Sequence, residues 1–137
     1  MMHTILNDNR LIEELDYVKF FSDPSGETLI AEFQESTTID AAMAKESLDL
    51  IRQYKKYRST FGITDASAKF LDFTAEARDY YRENMIKGET ILHAIVVKDS
   101  ATKILANIYA RFEKPKVPTR VFTNIKDAVN WIEEGKL

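Results

Sequence analysis

Polar side chains that could do chemistry are concentrated in two turns, each after a predicted strand. Asp65 and Ser67 follow one strand, and Lys98, Ser100 and Thr102 follow the next. If these strands are parallel neighbours, an acid, a base and hydroxyls share one rim of the sheet. Free N–H groups at the start of the following helix favour an anion, so one hypothesis is a phosphate or carboxylate site. The structural alternative, which we favour, is that Ser100 caps a helix and Asp65 pairs with Lys98 or a loop amide.

A second cluster of charged side chains is basic and surrounds two prolines. A semi-rigid loop of this kind could present cations to lipid headgroups, nucleotides or an acidic protein surface. In the alternative interpretation, which we favour, two of the cations complement the C-terminal dipole of a helix and the others are solvated. The cluster consists of Arg111, Lys114, Lys116 and Arg120.

No group of residues in the sequence indicates catalysis, a metal or a cofactor. The chain has no Cys and two His, which excludes thiol nucleophiles and leaves little material for a His-rich site. His93 lies in a predicted buried strand without an orienting acid nearby in sequence, so we expect it in the core or at a strand edge. An enzyme would need Asp65, Lys98 and a hydroxyl to converge with a perturbed pKa. We therefore expect no catalytic residue, no metal and no cofactor.

Length and composition indicate one cytoplasmic globular domain. The chain has 137 residues, of which 45% are hydrophobic and 30% charged. No apolar run approaches the roughly 20 residues that a membrane span needs, and the N-terminus is acidic where a signal peptide is basic. We expect residues 1–15 to be an arm, either an extra strand or loosely ordered, and residues 16–137 to be a single domain.

One stretch combines basic and aromatic residues, as nucleic-acid-binding surfaces do. Arg52, Lys55, Lys56 and Arg58 are interleaved there with two tyrosines. The net charge of −3 and the absence of any nucleic-acid motif argue against that function. We interpret the stretch as the solvated end of a helix and expect no nucleic-acid partner.

The hydrophobic pattern predicts a β-hairpin followed by alternating helices and strands. Tyr17–Phe21 and Thr28–Phe33 flank the turn Asp23-Pro24-Ser25-Gly26. The later predicted elements are a helix from about Thr38 to Tyr57 that a capping box of Thr37 and Asp40 begins, a strand Thr60–Asp65, a helix from Thr74 to near Gly88, a strand Ile91–Val97, a helix that Ser100 caps and that continues to Phe112, a strand Arg120–Phe122, and a helix from Ile125 to Gly135.

The predicted order is therefore β-β-α-β-α-β-α-β-α, which indicates an α/β fold. Right-handed crossovers make the later strands parallel and place helices against the sheet. We expect a mostly parallel sheet of about four to five strands with an N-terminal antiparallel hairpin and four helices. The apolar strand Ile91–Val97 should form the centre of that sheet.

Several stretches between Ile39 and Ile132 resemble the small SpoIIAA-like proteins of the STAS/Sec14-like superfamily. The chain looks most like the group common in Bacteroidetes, whose members are mostly uncharacterised. The most specific pieces are Glu76-Ala77-Arg78-Asp79-Tyr80, the loop Lys114-Pro115-Lys116-Val117-Pro118, and the final helix from Ala128 to Trp131. The resemblance covers roughly residues 17–134 and implies a STAS-like fold.

The family-like residues have structural interpretations as well as functional ones. Arg78 and Tyr80 could form a structural ion-pair network with acids at helical spacing, Glu76 among them. Asn107 lies beside the strongest apolar stripe of its predicted helix and could reach a backbone group or a ligand. Trp131 either fills the core at a helix edge, which we favour, or anchors a partner.

The resemblance also raises the question of whether the domain is controlled by phosphorylation. In anti-sigma-factor antagonists a Ser or Thr in an Asp-Ser-Ser-Gly-like turn at the start of the second helix is phosphorylated. Here the corresponding stretch, Thr64–Lys69, has no Gly, and the next predicted helix begins later, at Thr74. We therefore do not expect Ser67 to be such a switch.

Two functions remain open at this point. The first is a non-catalytic STAS/SpoIIAA-like regulatory domain that binds an unknown protein partner or itself. The alternative is a carrier of an anionic small molecule or lipid, as the Sec14-like branch implies, with its anion site at the strand C-terminal rim. A carrier needs an apolar cavity, which the 15 aromatic residues could either line or fill.

Overall fold

A six-stranded sheet runs through the molecule; the computed structural model describes residues 8–55, 58–85, 88–100, 102–104 and 116–136. The spatial order of its strands is β1-β2-β3-β5-β7-β8, and β4 and β6 form a separate two-stranded sheet. The strands are β1 (Arg10–Leu15), β2 (Val18–Ser22), β3 (Thr28–Phe33), β4 (Thr38–Ile39), β5 (Thr60–Ala66), β6 (Asp72–Phe73), β7 (Thr90–Val97) and β8 (Thr119–Phe122). Within the described ranges, the three helices bounded at both ends are α1 (Ala41–Tyr54), α2 (Ala75–Asn84) and α3 (Ile125–Gly135).

The predicted hairpin is confirmed, and its turn is held by one carboxylate. Strands β2 and β3 pair antiparallel, with Ser22 opposite Leu29. Asp23 Oδ1 accepts the Thr28 N–H at 3.1 Å, and the Asp23 carbonyl accepts the Gly26 N–H at 3.0 Å. Gly26 has φ 77°, which a residue without Cβ adopts readily. The side chain of Asp23 therefore closes the turn and starts β3.

The remaining pairings confirm the mostly parallel sheet. Strands β3, β5, β7 and β8 pair parallel in turn, while β1 adds a second antiparallel pairing at the N-terminal edge. The sheet has six strands instead of four to five because residues 10–15 form β1. The prediction that Ile91–Val97 forms the centre is wrong. Strand β7 is the fifth of six, and β3 and β5 occupy the middle.

The two faces of the sheet carry different cores, as the two-residue alternation of a strand requires. On one face Ile63 and Val96 belong to a buried cluster with Val129 and Ile132 of α3. On the other face Val18 and Phe33 belong to a cluster with Ala44 of α1 and residues of α2. Of these three helices, α3 packs on one face, and α1 and α2 lie together on the other.

Two predicted helix caps are wrong for a similar reason. Asp40, not Thr37, is the N-cap of α1, where its carboxylate accepts the Met43 N–H at 2.9 Å. The Thr37 carbonyl instead accepts from Asp72 beside the small β4–β6 sheet. After β7, Asp99 Oδ1 accepts the Thr102 N–H at 2.8 Å, and Ser100 is already helical. In both places a carboxylate supplies the acceptor and also complements the helix dipole.

The other predicted helices differ mainly in length. The predicted Thr74 cap is confirmed, since its hydroxyl accepts the Ala77 N–H at 3.1 Å, but α2 ends at Asn84, before the predicted end near Gly88. Helix α1 ends at Tyr54, three residues before the predicted Tyr57. Of the helix predicted to continue to Phe112, Ser100 and residues 102–104 are helical, and residues 105–112 lie outside the described ranges.

Candidate functional site

A cavity of about 600 Å³ lies between the sheet and helices α1 and α2. Its floor is the face of the sheet opposite α3, and most of the side chains around it are apolar. Binding cavities for small molecules fall in the range of about 300–1,000 Å³ and are mainly apolar with a few placed polar groups. The space is therefore of the right size and character to hold one small molecule.

Small residues at floor positions of the two middle strands leave room for the cavity. Ala31 of β3 and Gly62, Thr64 and Ala66 of β5 all line it. A Cβ added at Gly62 would meet His93 Cδ2 at 3.6 Å, an ordinary contact, so that glycine is not required by crowding. Because a sheet and a helix normally fill the space between them with large side chains, this row of small ones leaves an open space among the described residues.

Aromatic rings form one wall of the cavity. Phe33, Phe73 and Tyr81 meet edge to face, with centroid separations of 5.0, 6.4 and 6.3 Å. The Tyr81 hydroxyl lies 2.6 Å from Ser47 Oγ. Burial raises the pKa of Tyr81 to about 12, so its hydroxyl is neutral. This wall is apolar and uncharged.

One end of the cavity is polar, and we call it the polar end: Arg52, Lys55, Thr60, Glu89 and Thr90. The Lys55 ammonium donates to the Thr90 hydroxyl at 3.1 Å, to the Glu89 carbonyl at 3.3 Å and to the Thr60 hydroxyl at 3.5 Å. Thr60 and Thr90 are the first residues of β5 and β7. The polar end therefore lies at the amino ends of these parallel strands.

The charges of the polar end do not cancel. Glu89 Oε1 lies 3.0 Å from Arg52 Nε and 3.6 Å from Lys55 Nζ, so one carboxylate serves two cations. Arg52 also donates to the Asn84 carbonyl at the end of α2. Lys55 is only 7% exposed, and burial lowers the pKa of its ammonium while Glu89 opposes that shift. The polar end thus combines a buried cation with two hydroxyls.

His93 adds a polar but uncharged group to the floor. Its Nε2 atom lies 2.7 Å from Thr64 Oγ1. Burial first, and the nearby charge of Lys55 second, lower the pKa of His93 to about 4. The imidazole is therefore neutral at pH 7. It lines the cavity from strand β7, whereas the sequence left a core position and a strand-edge position open.

The predicted rim residues lie at one edge of the sheet. Among the described residues, however, the side chains of the two turns do not contact each other through a hydrogen bond or an ion pair. Strands β5 and β7 are neighbours, as the rim hypothesis required. Asp65 Oδ1 accepts from the Ser67 N–H at 3.1 Å and from the Ser67 hydroxyl at 2.5 Å. Lys98 and Ser100 are exposed, and Thr102 lines the cavity. Over the described ranges no ion pair joins Asp65 to Lys98, and an anion site at this rim stays a prediction.

The described members of the predicted basic loop make contacts within the chain. Lys116 Nζ donates to the Glu83 carbonyl near the end of α2 at 2.9 Å. The Arg120 guanidinium lies over the Phe122 ring, 5.4 Å from its centroid. Arg111 and Lys114 lie outside the described residues.

The family-like residues are placed mainly in structural contacts. Arg78 donates to the Phe73 carbonyl at 2.5 Å, and Tyr80 packs against the core cluster beneath α1 and α2. Glu76 is exposed in the first turn of α2. The Trp131 ring packs beside Phe122, with centroids 5.8 Å apart. Asn107 lies outside the described residues.

The polar end was missed by the sequence interpretation, which placed Arg52 and Lys55 on a solvated helix end. The sequence did contain a pattern that places Lys55 on a buried helix face. Lys55 lies four residues after Ile51, which lies four after Ser47, so helical periodicity puts all three on one face. That face is turned toward the cavity.

A comparison with solved structures identifies the class of fold to which the domain belongs. The chain is similar to a crystal structure of an uncharacterised protein of the DUF3478 family from Shewanella loihica PV-4, which has a SpoIIAA-like fold. The TM-score is 0.60 at 12% identity, covering 89% of this chain and 98% of that one. The expected SpoIIAA-like α/β fold is therefore confirmed. The place of the chain in the group common in Bacteroidetes stays a prediction.

The family itself is identified by a second comparison. The model of the family described as "Domain of unknown function (DUF7793)" matches residues 25–136, which is more than half of the chain. The chain belongs to this family. A search of curated proteins found no match. None of the helices in the described ranges is long and apolar enough to cross a membrane.

Proposed function

We propose that this domain is a non-catalytic binding domain that holds one small, largely apolar molecule between its sheet and helices α1 and α2. The observation that carries the proposal is the cavity of about 600 Å³ over a floor of small residues. An apolar molecule that fills it would replace water against apolar walls, a transfer that is favourable by about 25 cal/mol per Å² of buried area.

The proposal favours the carrier alternative over the first expectation of a protein-interaction domain. Native proteins pack their interiors closely and leave few voids larger than a water molecule. A concave, mainly apolar space of this size among the described residues therefore favours a bound molecule over contacts made by an exposed surface. The buried Lys55 supports the same conclusion, because binding cavities are mainly apolar and contain a few polar groups that orient the ligand.

The experiment is to fill the floor by substitution. Ala66 lines the cavity, and Ala66→Leu adds three carbons where the ligand would lie. We expect the purified protein to bind Nile red, an uncharged apolar dye, with increased fluorescence, and Ala66→Leu to weaken that binding about tenfold or more. Native mass spectrometry of the same samples would detect any molecule retained through purification.

The matched control is Ala42→Leu. Ala42 is exposed on α1, so the same change there adds the same atoms outside the cavity. We expect this variant to bind Nile red as the unsubstituted protein does. Equal binding by all three proteins would contradict the proposal, because the dye would then occupy some other surface.

A second candidate function is self-association or partner binding, and Phe70 favours it. Its side chain is 80% exposed, and its backbone has φ 57°, a conformation that is costly for a residue with a Cβ. The ring is thus exposed on a strained backbone, and aromatic side chains are enriched at protein–protein contacts. Sedimentation velocity at several concentrations tests this, since the second candidate predicts a dimer that Phe70→Ser abolishes.

A further inference from the structure

The cavity is amphipathic, with its charge concentrated at the polar end. Among the other charged residues that line it, Arg82 is paired with Asp79 at 2.8 Å, and Asp72 and Arg78 have opposite charges. At the polar end Arg52 and Lys55 share the single carboxylate of Glu89. Among the cavity-lining residues that the structure describes, one positive charge is therefore left over.

Lys55 is the cation that a bound molecule would meet. A buried ammonium is costly unless its hydrogen bonds and its charge are both satisfied. Arg52 holds Glu89 at the shorter distance, 3.0 Å against 3.6 Å for Lys55. Glu89 therefore neutralises the charge of Lys55 only in part. The Lys55 side chain is 8% exposed, so bulk water solvates that charge little.

The two threonines at the polar end are poised to donate. Their hydroxyl oxygens already accept hydrogen bonds from Lys55 Nζ. A hydroxyl carries one donor hydrogen in addition to its acceptor lone pairs. Over the residues that the structure describes, neither Thr60 nor Thr90 donates to a protein acceptor through its hydroxyl. Among the described residues, two O–H donors without an acceptor therefore lie beside an ammonium whose hydrogen bonds go to those hydroxyls and to the Glu89 carbonyl.

We propose that the polar end binds the carboxylate of an amphipathic monoanion, such as a fatty acid, whose apolar chain occupies the rest of the cavity. This rests on the proposed function. One surplus positive charge matches one negative charge, and hydrogen bonds to a charged group are about twice as strong as neutral ones. The apolar chain would lie along the aromatic wall and the row of small floor residues.

This site differs in place from the anion site that the sequence suggested. The polar end lies at the amino ends of β5 and β7, where Thr60 and Thr90 begin their strands. The predicted rim of Asp65 and Lys98 lies at the carboxyl ends of the same strands. Substitutions at the two ends can therefore be distinguished experimentally.

The test is displacement of Nile red by two molecules of equal chain length. Dodecanoate carries the carboxylate, and dodecanol lacks the charge; both are used below the concentrations at which they aggregate. We expect dodecanoate to displace the dye at about tenfold lower concentration. In Lys55→Met we expect the two to become equal, because the ammonium is removed from a side chain of similar length.

The matched control is Lys45→Met. Lys45 lies on the same helix α1, is well exposed, and pairs with Asp49. We expect this variant to keep the tenfold preference. If Lys55→Met does not fold, as judged by circular dichroism, Thr90→Val decides: it keeps the cation and removes one donor, and we expect dodecanoate alone to weaken, about threefold.

The outcomes separate this inference from the proposed function. Equal displacement by dodecanoate and dodecanol in the unsubstituted protein would overturn the carboxylate site and leave the cavity proposal standing. Tighter binding of dodecyl phosphate than of dodecanoate would overturn the choice of a monocarboxylate. Failure of every probe to displace the dye, together with no effect of Ala66→Leu, would overturn both.

Discussion

At the residue scale, the start of helix α1 depends on Asp40, and its contribution can be measured. Asp40→Ala removes the acceptor for the Met43 N–H, so we expect the free energy of unfolding to fall by about 1 kcal/mol. Thr37→Ala removes only a hydroxyl that donates to the Glu35 carbonyl. Urea unfolding of both variants checks this, and a larger loss for Thr37→Ala would contradict the cap assignment.

His93 makes stability depend on pH in a defined direction. The pKa of His93 is about 4 in the folded protein and about 6.5 in an unfolded chain. Between these values the unfolded chain binds a proton that the folded protein does not, so acid favours unfolding. We expect the stability contribution to be complete above pH 6.5 and about 2–3 kcal/mol to be lost as the pH falls to 4.

The measurement compares the protein with His93→Gln across that pH range. Glutamine retains a hydrogen-bonding partner for Thr64 Oγ1 but does not titrate. Protonation of carboxylates affects both proteins, so the difference between their unfolding curves isolates the imidazole. Identical pH dependence in the two proteins would show that His93 is not buried in its neutral form.

At the scale of elements, helix α3 packs on the face of the sheet opposite α1 and α2. Ile132 has no exposed surface and belongs to the cluster with Ile63 and Val96. We expect Ile132→Ala to lower the free energy of unfolding by about 3 kcal/mol through lost burial and a new cavity. Asn130→Ala on the exposed side of α3 should change it by less than about 0.5 kcal/mol. Similar losses for both variants in guanidinium unfolding would contradict this packing.

Elements were predictable where the local pattern was strong. The hairpin around Asp23 and the stripe of α3 were predicted from turn residues and helical periodicity, and both are confirmed. The small β4–β6 sheet was missed because each strand has two residues and pairs across more than 30 positions. Helix α1 is capped by Asp40 and not by the predicted Thr37, because the backbone before Asp40 is hydrogen-bonded in the β4–β6 sheet.

At the scale of the whole molecule, a cavity that binds a ligand couples binding to stability. A ligand that binds only the folded protein stabilises it by about 2.7 kcal/mol at one hundred times its dissociation constant. We therefore expect dodecanoate to raise the midpoint of thermal unfolding. Ala66→Leu should remove that increase and Ala42→Leu should not, as followed by circular dichroism. An equal increase in all three proteins would indicate binding outside the cavity.

The candidate site was predicted less completely than the fold. Sequence spacing correctly placed the turns after β5 and β7 at one edge of the sheet, because parallel neighbours align their carboxyl ends. It did not identify Lys55, since the type of a residue does not reveal whether a helix end is exposed. Thr60 and Thr90, which lie 30 residues apart in the chain, carried no motif at all.

By itself the sequence determined the class of fold, the antiparallel hairpin, most of the helices and the spacing that puts Lys55 in line with Ile51. These properties depend on local periodicity and turn chemistry, which are written in neighbouring residues. Only the tertiary structure decided that small side chains from two strands lie side by side beneath two helices and line an open cavity. It alone also brought Lys55 to two threonines and one glutamate, because convergence of distant residues depends on strand order and helix packing, which no local pattern encodes.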